Sequence, residues 1–88
     1  MNYQTEIKKE MEQKGYLVLN LIKLSVAGFP DLLCLKDGEA IFIECKEKLD
    51  TLKPLQKYKI DKLISIGFQA HCTQKGKGII YPIKYAYN

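Results

Sequence analysis

The sequence predicts a single α/β or α+β domain with one central sheet, in the element order α-β-β-β-α-β-β. Three observations carry that expectation. Tyr3, Ile7 and Met11 recur every fourth residue, which stacks them on one face of a helix. Two β-rich runs flank Asp37-Gly38, a pair suited to a two-residue hairpin turn. Pro54 stands where a second helix can begin, because a proline in the first turn forfeits no intrahelical hydrogen bond.

The first helix is expected over residues 3–14, with Gly15 as its left-handed stop. Residues 16–24 are rich in β-formers and alternate imperfectly, which predicts a strand. SVAGFP, residues 25–30, breaks it. Strands follow at 31–36 and 40–46, and a charged loop at 47–52. The second helix runs from Pro54 to about Ile66, with Ile60, Leu63 and Ile64 expected to face inward and Gly67 to end it. A short strand at 68–72, a turn at 74–78 and a last strand at 79–83 complete the order.

With 88 residues the chain has room for one domain, spanning 1–88, and a real but thin core. Such a core favours burying further apolar surface by self-association. Hydrophobic residues make up 47% of the sequence, which argues for a folded domain and against disorder. The formal charge is +4, and all 14 basic residues are lysine. Lysine meets phosphate as a point charge, whereas arginine reads base edges through a rigid fork. This composition suits sequence-independent backbone contact.

No apolar run approaches the ~20 residues needed to cross a bilayer. The N-terminal segment MNYQTEIKKEMEQKG is charged and lacks the apolar block of a secretory signal. A cytoplasmic location and no membrane partner are therefore expected. Cys34, Cys45 and Cys72 are odd in number, lie in apolar stretches and show no CxxC spacing, so they read as reduced, buried small hydrophobes. His71 reads as an ordinary structural histidine. Gln74-Lys75-Gly76-Lys77-Gly78 lacks the spacing of a phosphate-binding loop, so no nucleotide cofactor is expected.

The hairpin sets a register, and the register brings chemistry together. With Asp37-Gly38 at the turn, Lys36 pairs with Glu39, Leu35 with Ala40, Leu33 with Phe42, and Asp31 falls opposite Glu44. Directly opposed residues share a sheet face, with Cβ atoms about 4.5–5.5 Å apart. Glu44 and Lys46 share that face by alternation. Opposed carboxylates repel, and folding alone does not recommend them. A divalent cation removes the repulsion; Mg²⁺ is commonly held by one or two carboxylates, waters and phosphate oxygens. The chemistry that suits this set is phosphodiester hydrolysis, with Lys46 placed to hold the attacking water or to neutralise charge building on phosphorus. The plain alternative is an acidic pair at a strand end with Lys46 as its salt-bridge partner.

Gln56 lies four residues before Ile60 and seven before Leu63, so it should face the sheet and need a polar partner there. Glu6, near the inner face of the first helix, is a weaker candidate for a third carboxylate. Lys48, Lys53 and Lys57 flank the site in sequence and are candidates for DNA phosphate contact, as are Lys75 and Lys77 in the 74–78 turn. The tyrosines Tyr81, Tyr85 and Tyr87 could pack in a dimer interface or cover the sheet.

Gly28-Phe29-Pro30-Asp31, then Glu44-Cys45-Lys46, then Gln56 together resemble the PD-(D/E)-x-K nuclease pattern, in the form of the virus-type replication–repair nuclease (VRR-NUC) family. The resemblance runs from the helix carrying Glu6 through the strand at Phe68. It implies a restriction-endonuclease-like core, a central mixed sheet flanked by helices. It also implies an endonuclease using Mg²⁺, with Mn²⁺ able to substitute. On this resemblance Asp31 and Glu44 bind metal, Lys46 is catalytic, Glu6 contributes to the metal site and Gln56 lies close by. The backbone carbonyl of Cys45 would be a further ligand. The resemblance implies DNA as partner, branched or four-way, a homodimer, a role in DNA repair or recombination, and a phage or bacterial source. The competing expectations are a nickase or general endonuclease on other DNA structures, and a non-catalytic DNA-binding module of a replication or repair complex.

Overall fold

The computed structural model describes residues 1–83. Its elements are α1 (Tyr3–Gln13), β1 (Leu17–Asn20), β2 (Leu32–Lys36), β3 (Glu39–Lys46), α2 (Pro54–Ser65), β4 (Gln69–Gln74) and β5 (Gly78–Tyr81). The α-β-β-β-α-β-β order is as expected from the sequence. The five strands form one mixed sheet in the order β1-β2-β3-β4-β5. β1, β2 and β3 form an antiparallel meander, α2 crosses over to bring β4 parallel to β3, and β5 returns antiparallel.

The β2–β3 hairpin has the predicted register, from Lys36↔Glu39 through Leu33↔Phe42 to Leu32↔Ile43. Asp37 and Gly38 both take positive φ, +51° and +77°, as a tight turn between twisted strands requires. Three expectations are corrected. β1 stops at Asn20 rather than Leu24, because the Asn20 side chain accepts the Ile22 N–H and diverts the chain into a turn. β4 continues through Gln74 instead of ending at Cys72, since β3 offers it a parallel partner as far as Lys46. Ile64 is 40% exposed and does not face inward; Ile60 and Leu63 do.

The sheet separates two small cores. On one face Ile7 and Met11 of α1 pack on Val18, Leu32, Cys34 and Ile43, with Tyr3 at the margin. On the other, Ile60 and Leu63 of α2 pack on Ala70 and Cys72, with Phe29 and Phe42 alongside. Burial pushes the thiols of Cys34 and Cys72 up, to about 11 and about 12, and that of Cys45 up as well. All three are free. They behave as the small hydrophobes that the sequence suggested.

Candidate active site

Alternation along β3 turns Ile43 toward α1 and Glu44 and Lys46 toward α2. Both charged residues are buried, at 3% and 4% exposure. Asp31 sits one residue ahead of β2, where the backbone ladder has just ended. Its carboxylate accepts the Cys45 N–H at 3.0 Å, and its carbonyl accepts the Leu21 N–H at 2.7 Å. The side chain thus takes a backbone donor of β3, so Asp31 is held beside Glu44 although it is not formally in the strand.

The approach to Asp31 depends on Gly28. Its φ is +74°, and a Cβ there would lie 2.6 Å from Leu55 Cγ at the start of α2. Gly28 therefore lets the 25–30 loop pass against that helix, and the fully buried Pro30 carries the chain on to Asp31. The sequence GFPD thus anchors a carboxylate.

Around Glu44 the contacts are dense on one oxygen and missing on the other. Oε2 accepts from Gln56 Nε2 at 3.2 Å and lies 3.4 Å from Lys46 Nζ. Oε1 is buried with no hydrogen-bond partner. Burial pushes the Glu44 carboxyl up to about 7, the Asp31 charge adds to the rise and Lys46 opposes it. Burial also raises Asp31, against the Cys45 N–H bond and Lys46. Two buried carboxylates whose pKa values are both raised, one with an orphaned oxygen, form an incomplete electrostatic set that a divalent cation would complete. By that measure the residues fit the cation expected from the sequence.

Gln56 occupies the expected face but does two jobs. Its amide nitrogen holds Glu44, while its Oε1 accepts the Lys53 N–H at 2.9 Å and so closes the first turn of α2. Its contact is thus a carboxylate and a cap. Lys46 Nζ has a second carboxylate, Asp50 Oδ2, at 3.5 Å. Sequence reasoning passed over Asp50 as part of a charged loop; its i,i+4 spacing from Lys46 was the available signal. It also passed over Gln74, which lies opposite Lys46 in the β3–β4 register and is 5% exposed.

Glu6 is not brought to Asp31 and Glu44. It belongs to α1, which packs on the other face of the sheet, and its carboxylate lies 3.6 Å from Lys75 Nζ. It borders a cavity of about 480 Å³ with Tyr3, His71, Thr73 and Ile79. Among the described residues no group of three or more His, Cys, Asp or Glu side chains is placed to hold one metal ion. On the α2 face Asp31 and Glu44 stand side by side, with Asp50 reaching Lys46 from the loop.

The lysines divide. Lys48, Lys53 and Lys77 are exposed around the loop and turn next to the site. Lys57 is exposed but stacks over the Tyr81 ring at 5.4 Å, and Tyr81 donates its hydroxyl to Asp61 at 2.6 Å. Lys75 is exposed and paired with Glu6. Tyr81, at the end of β5, packs against the α2 core and braces α2 through Asp61, while Tyr85 and Tyr87 lie outside the described residues.

A β-hairpin bearing Asp31 before one strand and Glu44-Cys45-Lys46 on the next, crossed by a helix with Gln56, is the core of a PD-(D/E)-x-K nuclease fold. Among solved structures the chain matches one described as a VRR_NUC domain, with a TM-score of 0.67 and 28% identity over 78% of this chain and 76% of that one. The structure thus agrees with the resemblance carried by GFPD, ECK and Gln56: the chain is similar to a VRR-NUC domain over most of its length. That homology implies a nuclease of the PD-(D/E)-x-K type. No family model and no curated protein matches the sequence. No helix among the described residues is long and apolar enough to cross a membrane.

Proposed function

We propose that this protein is a Mg²⁺- or Mn²⁺-dependent endodeoxyribonuclease acting on DNA by structure rather than by sequence. The observation that carries the reading is Glu44: a buried carboxylate with one unpartnered oxygen, beside Asp31 and in contact with a buried lysine. Asp31, Glu44 and the Cys45 carbonyl would hold the cation. Glu6, on α1 across the sheet and paired with Lys75, stands apart from this set. When bound, such a cation would lower the pKa of the attacking water and offset charge on the scissile phosphate.

The chain's own residues do the rest. Gln56 fixes the Glu44 carboxylate through Oε2, leaving Oε1 free to coordinate. Lys46, drawn between Glu44 and Asp50, orients the attacking water or offsets charge growing on the phosphoryl oxygens. Lys48, Lys53 and Lys77 bind phosphates on either side, with Lys57 and Lys75 contributing when released from Tyr81 and Glu6. Because every cation is lysine, binding follows the backbone and ignores base identity.

A four-way junction offers two strands related by two-fold symmetry, which one site per chain can cut only in a C2 dimer. Exposed Leu17, Leu19, Ile22, Leu24 and Val26 on β1 and the following segment support such a dimer. The test is incubation with supercoiled, linear, flapped and four-way DNA, with and without Mn²⁺. Faster cutting of four-way DNA is the expected result. Equal cutting of all forms would leave a general endonuclease, and nicking of supercoiled DNA alone a nickase. Binding without metal-dependent cutting would leave only a DNA-binding module.

A further inference from the structure

Gln74 is the last residue of β4 and faces the same side of the sheet as Lys46, its partner in the parallel ladder. It is 5% exposed, yet its amide nitrogen does not touch Lys46 or Glu44. Instead the two N–H groups of Nε2 reach three backbone carbonyls of the loop after β3, one bond being bifurcated: Glu47 at 3.0 Å, Lys48 at 3.3 Å and Asp50 at 2.6 Å. One side chain therefore gathers the loop into a closed bend. The bend is supported from the flank, where the Lys75 N–H reaches the Lys46 carbonyl at 2.9 Å and Glu47 accepts the Tyr3 N–H at 3.0 Å.

The bend delivers Asp50. Its Oδ1 accepts the Thr51 N–H at 2.8 Å, which orients the carboxylate, and its Oδ2 lies 3.5 Å from Lys46 Nζ. Lys46 thus has two acidic neighbours, and only one of them, Glu44, is needed by a cation. Once Glu44 is committed there, Asp50 is the neighbour that still holds the ammonium in place. Asp50 is itself an exposed loop residue; the Asp50 N–H to Glu47 carbonyl turn at 3.1 Å bends the loop, and the Gln74 amide ties that bend to the sheet beside the buried lysine.

We propose that Gln74 and Asp50 are positioning residues: Gln74 closes the 47–50 loop, and the loop presents Asp50 to hold Lys46 in its working place. This rests on the nuclease reading above. A misplacement of the order of 1 Å in a catalytic group can cost roughly 100-fold in rate. Gln74→Met, which keeps the volume and removes the donors, should therefore lower kcat by roughly 10- to 100-fold with little change in KM. Mn²⁺ affinity of Gln74→Met by calorimetry should stay as in the wild type, because Gln74 is uncharged and its hydrogen bonds go to the 47–50 loop rather than to Asp31 or Glu44.

The deciding experiment is a double-mutant cycle of Gln74→Met and Asp50→Asn, read in kcat and in the Lys46 ammonium resonance by NMR at fixed pH. If Gln74 acts through Asp50, each single variant shifts both readouts alike and the double variant adds nothing further. Additive effects, or wild-type kcat and resonance in Gln74→Met, would overturn the proposal. Should Gln74→Met fail to fold, Gln74→Asn keeps the amide, shortens its reach and must show the same non-additivity with Asp50→Asn. A wild-type protein that cuts no DNA with Mg²⁺ or Mn²⁺ would remove the nuclease reading, and the resonance alone would then decide the relay.

Discussion

Glu44 and Lys46 are two residues apart on one strand, equally buried and in contact, but they are expected to fail differently. Lys46→Ala removes a charge that no cation needs, so cleavage should fall by ~10²–10³-fold, as loss of a charge-stabilising donor does. Mn²⁺ binding should persist in that variant, while Asp31→Ala and Glu44→Ala lose both; calorimetry on the three variants separates them. Protonation gives a second view of the same carboxylate. The Glu44 pKa is raised to about 7, above its unfolded value of 4.5, so without metal its contribution to stability is present below pH 4.5 and lost as pH rises through 7. Asp31 is raised too and acts in the same direction. Metal-free melting temperature should therefore fall between about pH 4.5 and pH 7, and Glu44→Gln should flatten that fall. Asp31→Asn should raise the metal-free melting temperature, because it relieves the repulsion and keeps an oxygen for the Cys45 N–H. Added Mn²⁺ should restore the wild type, by ~2.7 kcal/mol at a hundredfold excess over Kd, and leave Glu44→Gln unmoved.

At the scale of elements, the site is a joint between the hairpin, the 25–30 loop and the start of α2. Gly28 is the tightest point of that joint: a side chain there meets both a positive φ and Leu55. Gly28→Ala should cost about 1–3 kcal/mol, a fall of several degrees in melting temperature, and should weaken metal binding by moving Asp31. Pairing it with Leu55→Ala should recover the part due to the clash and not the part due to φ, which thermal unfolding of the two variants would reveal. The hairpin and α2 were legible in the sequence because their signals are local: a two-residue turn at Asp37-Gly38 and a proline at a helix start. The ends of β1 and β4 were not, since one is set by the side chain of Asn20 and the other by the length of the partner strand.

For the molecule as a whole, charge and apolar surface make separate demands. Exposed Lys48 and Lys53 contribute to a field that has no arginine in it. Replacing either by alanine should weaken DNA binding evenly across sequences and lower the salt slope by about one. Fluorescence anisotropy at several salt concentrations measures both. The exposed leucines of β1 make the opposite kind of contact. Light scattering should show a dimer, and Leu19→Glu should convert it to a folded monomer that no longer prefers four-way DNA. A wild-type monomer at micromolar concentration would remove the resolvase reading and leave the nuclease one.

Periodicity and turn chemistry in the sequence by itself determined the order of elements, the register of the hairpin and the meeting of Asp31, Glu44 and Lys46. These are consequences of residues near one another along the chain, where alternation and a two-residue turn leave one arrangement. The tertiary structure decided what no local pattern contains. It set Glu6 across the sheet with Lys75, gave Gln56 a carboxylate as its partner, and brought Gln74 from the far side of α2 to gather the loop that carries Asp50. The physical reason is the same in each case. A polar side chain taken out of water must find whatever partner the fold places within 3 Å or so, and that partner is chosen by packing between elements rather than by spacing in the sequence.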